Sequence, residues 1–265
     1  MVSSWSIVFM VMSLLLSLII PIAGWIYMKR SYRIDWKPVL VGVAIFIVFS
    51  QLLESILNGY VLQGNDVTSE WLTNPYLYAL YGALAAGVFE EVGRYVGFRL
   101  ILTPFRDWKD GIAYGIGHGG IEAILVGAIA SVQSIIVAVM INTGQFADML
   151  QSMGDASLQL QVMQDQLTQA PAYMFFLVGV ERLLTFALQL ALSLMVLYSV
   201  SRSRIRFLFY AILIHTAVNF ISIMLTQAFQ LNGLIAEIFL LIVALASLRF
   251  IKRSKRLFSD SADAQ

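Results

Sequence analysis

The sequence predicts an all-α fold: a polytopic transmembrane helical bundle of about seven spans. Three observations predict it. Apolar stretches of about 20 residues recur along the chain, the length a helix needs to cross the hydrocarbon core of a bilayer. Only 12% of the residues are charged, 59% are hydrophobic and the mean hydropathy is +0.80, which is roughly half the charge of a soluble domain. Finally, Lys and Arg appear in every second connecting segment and are missing from the others.

Taken in order, the apolar stretches place spans at 5–28, 38–62, 75–102, 111–140, 172–199, 206–229 and 233–251. The first lacks the basic start and small-residue cleavage pattern of a secretory signal and reads as a retained helix. The third and fourth are long and glycine-rich, so their neighbours can approach closely. Trp5, Trp25, Trp36 and Trp71 stand near span ends, where aromatic anchors belong.

Orientation follows from the connections. Lys29, Arg30, Arg33 and Lys37 follow the first span, Arg106 and Lys109 the third, Arg202, Arg204 and Arg206 the fifth, and Lys252, Arg253, Lys255 and Arg256 the seventh. Segments 1–4, 63–74, 141–171 and 230–232 contain neither Lys nor Arg. The positive-inside rule therefore sets the N-terminus outside and the C-terminus in the cytoplasm. One bundle, 1–253, is expected, followed by a disordered cytoplasmic tail, 254–265. The segment 141–171 is the single long extracytoplasmic connection. Leu158, Val162, Met163 and Leu167 approximate helical spacing within it.

The chain contains no cysteine, which excludes disulfides, thiolate metal ligands and a cysteine nucleophile. A net charge of +1 gives no argument for nucleic acid, which is not an expected partner; the lipid bilayer is. The expected location is integral to a membrane, the cytoplasmic membrane of a bacterium.

One polar stretch interrupts the apolar pattern. Between Ala85 and Ala123 stand Glu90, Glu91, Arg94, His118 and Glu122, and His215 and Asn219 follow about a hundred residues later. His118 and His215 are the two histidines of the chain. Ionisable groups at membrane depth are costly and mark functional sites by default. Counted from the basic ends of their spans, Glu90, Glu91, His118 and His215 all lie roughly 10 to 18 Å deep at 1.5 Å per residue. Three sequence-distant groups at one depth predict a convergent site in the cytoplasmic half of the bilayer.

The spacings fit chemistry. Glu90 and Glu91 precede Arg94 by four and three residues, so either carboxylate can pair with the guanidinium on one helix face. The other is then free to accept a proton. His118–Glu122 and His215–Asn219 are both i,i+4 pairs, the first able to orient an imidazole and the second to present two hydrogen-bonding groups side by side. A Glu that activates water, a His that holds it and a His/Asn pair for an oxyanion make a hydrolytic site. Glu90, His118 and His215 are equally a two-His, one-carboxylate zinc set. Zinc binding and a metal-free Glu/His water site both remain open.

The motifs Glu90-Glu91-Val92-Gly93-Arg94, Tyr114-Gly115-Ile116-Gly117-His118 and His215-Thr216-Ala217-Val218-Asn219 resemble those of the CAAX-protease and bacteriocin-processing superfamily. In their fuller form, FEEVGRY followed by YGIGHGGIEA, they resemble its YhfC-type branch of intramembrane metalloproteases. The resemblance covers about residues 75–225. It implies an intramembrane endopeptidase acting on membrane-embedded or lipid-anchored peptides or proteins. Glu90 with His118 would activate water, His215 and Asn219 would steady the oxyanion, and Glu91 and Arg94 would support the site. Tyr114 replaces the superfamily's Phe and Glu122 is additional, which leaves the substrate open. A proton- or ion-coupled transporter and a non-catalytic immunity or scaffold member of the superfamily are the competing readings. Glu181 and Arg182 read as a buried structural pair, Glu54 as a packing residue, and Glu237 as a side chain that snorkels to the interface.

Overall fold

The computed structural model describes residues 1–153 and 158–259. The chain is 89% helical, with no strand among the described residues. The helices are α1 Ser4–Tyr32, α2 Trp36–Gly64, a short α3 Asp66–Trp71, α4 Pro75–Val96, α5 Trp108–Thr143, α6 Gln145–Met153, α7 Leu158–Gln169, α8 Ala172–Ser201, α9 Arg206–Ala228 and α10 Gly233–Ser259. Local chemistry sets their ends. Asn74 accepts from the backbone N–H groups of Tyr76 and Leu77 at 2.9 and 3.3 Å, and Pro75 occupies the first turn of α4, where its missing N–H costs nothing. Gly144, at φ +86°, closes α5 in the left-handed conformation that glycine adopts without strain.

Six of these helices, α1, α2, α5, α8, α9 and α10, are long and apolar enough to cross a bilayer. Expected span 75–102 is α4, prolonged by a π-helical turn, Gly97–Ile101. It has the length, but Glu90, Glu91 and Arg94 lower its hydropathy below that of the other six. Along α10, Leu234, Ile238, Leu241, Ile242, Leu245 and Leu248 form an exposed apolar stripe, a surface that water would not tolerate and lipid solvates. The protein is an integral membrane protein. α8 is the most enclosed of the six, with 67% of its most apolar stretch buried against 17–28% in the others.

Where the sequence suggests one bundle, the chain divides into two compact units. One comprises residues 1–20 and 122–183, the other Pro21–Ile121 with Leu184 onward. In the first, Val2, Met10, Ala138 and Leu167 form a buried apolar cluster. Val2 and Asn142 exchange two hydrogen bonds of 2.8 and 3.0 Å. Arg182 donates to Glu122 at 3.1 Å and also to Glu181, so Glu181 and Arg182 do pair as expected. On the expected face of 141–171, Leu167 is buried while Val162 and Met163 are exposed; the side chain of Leu158 lies outside the described ones.

The second unit holds α2, α4 and the start of α5, with the later part of α8, α9 and α10. The expected disordered tail is corrected in part. Ser254–Ser259 continues α10, held because Trp108 Nε1 donates to Ile251 O at 3.2 Å and to Ser254 Oγ at 3.1 Å, while Arg202 donates to Leu257 O at 2.8 Å. Residues 260–265 of that tail lie outside the described residues. α4 packs closely along α9. At Gly87 an added Cβ would strike Thr216 Oγ1 and come within 3.2 Å of Ile212 O. α2 approaches α5 just as tightly: a Cβ on Gly117 would run into the carbonyl of Val39, and one on Gly42 would meet Tyr114 O and stand 2.9 Å from His118 N. These contacts bring the helices carrying the two histidines against their neighbours at backbone distance.

Candidate functional site

Glu90, Glu91, Arg94, His118, Gln189, Ser193 and His215 all belong to the second unit. α4 puts Glu90, Glu91 and Arg94 on one face. Arg94 is completely buried, with its Nη2 3.3 Å from Glu90 Oε2 and its Nε 3.1 Å from Glu91 Oε2. A single guanidinium therefore bridges both carboxylates rather than choosing one, which its planar fork of donors allows. Its remaining donors reach α8: Nη1 donates to Gln189 O at 3.0 Å and Ser193 Oγ at 2.6 Å, and Nη2 donates to Gln189 Oε1. Gln189 also donates from Nε2 to Glu90 Oε2 at 3.3 Å.

The two histidines take one carboxylate each. His118 Nε2 lies 2.9 Å from Glu90 Oε2, and His215 Nδ1 lies 2.7 Å from Glu91 Oε1. The other nitrogen of His215, Nε2, stands 4.0 Å from Glu90 Oε1. With ionised carboxylates, each bonded ring nitrogen must donate. In neutral rings that leaves His118 Nδ1 and His215 Nε2 with lone pairs, and His118 Nδ1 is buried without a hydrogen-bond partner. Phe46 meets the His118 ring edge-on at 5.0 Å, and Tyr114 stacks beside it at 6.0 Å, fixing its plane. Glu91, Arg94 and His118 are wholly buried and His215 nearly so; the Glu90 side chain, 8% exposed, is the most open of the five.

The structure thus joins Glu90, Glu91, Arg94, His118 and His215 into one network and sets Tyr114 against it. Asn219 sits one turn beyond His215 on α9, half-buried, with no hydrogen bond among the described residues, so its amide is available. Glu122 ends the α-helical turn that carries His118. Its carboxylate accepts from Arg182 Nη1 at 3.1 Å. Glu54, expected to pack, accepts from Ser50 Oγ at 3.3 Å and Asn58 Nδ2 at 3.5 Å. Gln189 and Ser193 were missed. Their signal was a Gln and a Ser four residues apart in an otherwise apolar span, the kind of polar pair that ties membrane helices together.

Glu90 and His118 lie close enough to share a metal ion, and a carboxylate with an imidazole suits zinc. His215, expected to complete that set, is outside the group of donors that converge within 4.8 Å; Glu91 fixes it by its Nδ1, so that Nε2 faces Glu90.

The sequence features of the YhfC intramembrane metalloprotease family run through residues 16–240. A membrane protein of Bacillus subtilis (strain 168), described as "Uncharacterized membrane protein YhfC", is 38% identical over 258 residues, covering 97% of this chain and 100% of that protein. No solved structure matches. With the match spanning α4, α5, α8 and α9 and every polar group of the network, this chain belongs to the YhfC intramembrane metalloprotease family.

Proposed function

We propose that this protein is an intramembrane endopeptidase that cleaves membrane-embedded or lipid-anchored peptides or proteins, with Glu90 as the base that activates water. The observation that carries this reading is the setting of Glu90. It is the most open carboxylate of a buried network, bonded by His118 at 2.9 Å and faced by His215 Nε2 at 4.0 Å. The depth common to these residues favours chemistry in the cytoplasmic half of the bilayer.

In this mechanism a water bonded to Glu90, which His118 holds in place, gives its proton to Glu90 as its oxygen attacks the peptide carbonyl carbon. The Asn219 amide, and His215 when it also carries a proton on Nε2, donate to the oxyanion that forms. The C–N bond then breaks, and the proton held by Glu90 passes to the leaving amine. Glu91 keeps His215 oriented, and Arg94 neutralises part of the paired negative charge without leaving the protein interior. Glu90 and His118 are residues that would help hold a zinc ion, which when bound would supply Lewis-acid polarisation and a more acidic water.

The test is cleavage of a panel of membrane-anchored peptides by purified wild type and by Glu90→Gln, with metal content measured on the same samples. Cleavage by wild type and loss of it in the variant is the expected result. Undiminished cleavage by Glu90→Gln would overturn the assignment. Zinc at one per chain, falling in His118→Ala, would select the metal-bearing form of the site.

A further inference from the structure

Away from the polar network, the second unit contains a cavity of about 400 Å³. Its apolar end is lined by Gly24, Ile116, Phe186 and Leu190, and its other end by Tyr32, Trp108, Lys252 and Lys255. Lys255 Nζ sits 4.8 Å over the Tyr32 ring and 5.7 Å from that of Trp108, and the two rings pack at 5.4 Å. No Asp or Glu lines the cavity, and neither lysine pairs with a carboxylate among the described residues. Two ammonium groups without an internal counter-ion thus converge at the mouth of an apolar hole. From Gly24 to Tyr32 on α1, and from Ile116 to Trp108 on α5, the cavity runs about 12 Å at 1.5 Å per residue. That accommodates the upper part of an acyl chain.

We propose that this cavity binds one anionic phospholipid. The phosphate lies against Lys252 and Lys255, the glycerol region sits beside Tyr32 and Trp108, and an acyl chain enters between Ile116, Phe186 and Leu190. The charge pattern singles out an anionic lipid: a purely apolar ligand would need no cations, and a free anion would not need a lipophilic hole. A second cavity, about 300 Å³ between α8, α9 and α10, makes the contrast. Leu192, Met195, Val218 and Phe250 line it with no charged side chain, so it offers nothing to a phosphate. Anionic headgroups favour clustered Lys and Arg at the membrane surface, and ring faces that hold Lys255 by cation–π contact fix its ammonium in place.

The experiment is lipid binding to the purified full-length chain by native mass spectrometry. Phosphatidylglycerol is compared with phosphatidylcholine of identical acyl chains. Two ammonium contacts predict a preference for phosphatidylglycerol on the order of tenfold or more. The preference should fall to near unity in Lys252→Gln/Lys255→Gln, a change at two exposed positions. Filling the hole should weaken both lipids. Gly24→Leu does this from inside, where a Cβ meets Phe186 at an ordinary 3.5 Å, and Leu248→Trp does it independently from a half-exposed position on the wall. Equal affinity for the two lipids in wild type would overturn the proposal, showing an ordinary solvating groove. So would a preference that survives the double lysine variant, or binding unaffected by both filling substitutions.

Discussion

His215 Nδ1 and Glu91 Oε1 lie 2.7 Å apart although 124 residues separate them, and both are buried. The bond assigns the ring's tautomer. With Nδ1–H donated to Glu91, Nε2 faces Glu90 and carries a lone pair in the neutral ring or a proton in the charged one. In the proposed mechanism two neighbouring glutamates on one helix divide the labour: Glu90 meets the reacting atoms and Glu91 aims a histidine at them.

Glu91→Gln should leave the helix packing intact while weakening the control of that tautomer, since an amide can present either a donor or an acceptor. Partners of this kind cost about 10- to 100-fold in activity or metal affinity when removed. The measurement is kcat and bound metal per chain in Glu91→Gln against wild type, with Glu91→Asp expected to recover part of both.

Glu90→Gln should be more severe. A positioned general base contributes about 10²- to 10⁴-fold, so cleavage should drop by that order while the thermal midpoint changes little, because Gln keeps the shape and can still meet Arg94 through its carbonyl oxygen. Replacing Glu90 and Glu91 should therefore separate a loss at the reacting atoms from a loss of aim.

Arg94 joins Glu90, Glu91, Gln189 and Ser193 without reaching solvent. Arg94→Met leaves two buried carboxylates with no cation, and breaking a buried pair by removing one partner costs about 3–5 kcal/mol. Thermal unfolding in detergent should show that loss directly. Ser193→Ala removes an acceptor of Arg94 Nη1 and a donor to Gln189 O and should cost about 1–2 kcal/mol, so the two variants separate charge compensation from ordinary hydrogen bonding.

The membrane-length helices were legible in the sequence because apolar length is a local property, and Glu90, Glu91, Arg94, His118 and His215 were legible because charge is conspicuous against that background. What joins them was less so. Arg94 was expected to choose one carboxylate, yet its donors span both and also reach α8. Gln189 is neutral, and only the fold reveals that it lies beside both Arg94 and Glu90. Glu122 stands at helical spacing from His118, but spacing along one helix does not show that Arg182 competes for its carboxylate. The helical state of Ser254–Ser259 depends on Trp108, a contact across 146 residues that no local pattern displays.

Two glycines on helices of this fold should respond in opposite ways to the same methyl group. Gly117, one residue before His118, packs α5 against α2 so closely that a Cβ would collide with the carbonyl of Val39 and lie 2.9 Å from its Cα. Backbone cannot swing aside as a side-chain tip can, so Gly117→Ala must push α2 away. The His118 ring, held between Phe46 of α2 and Tyr114, would move with it. Gly82, on α4 more than two turns before the glutamates, has nothing within 4 Å of an added Cβ. There alanine restricts the unfolded chain and favours the helix by about 0.4–1 kcal/mol. The expected outcome is a lower thermal midpoint with loss of cleavage for Gly117→Ala, against an unchanged or raised midpoint with full cleavage for Gly82→Ala. Equal behaviour of the two would mean that the contact between α2 and α5 does not position His118.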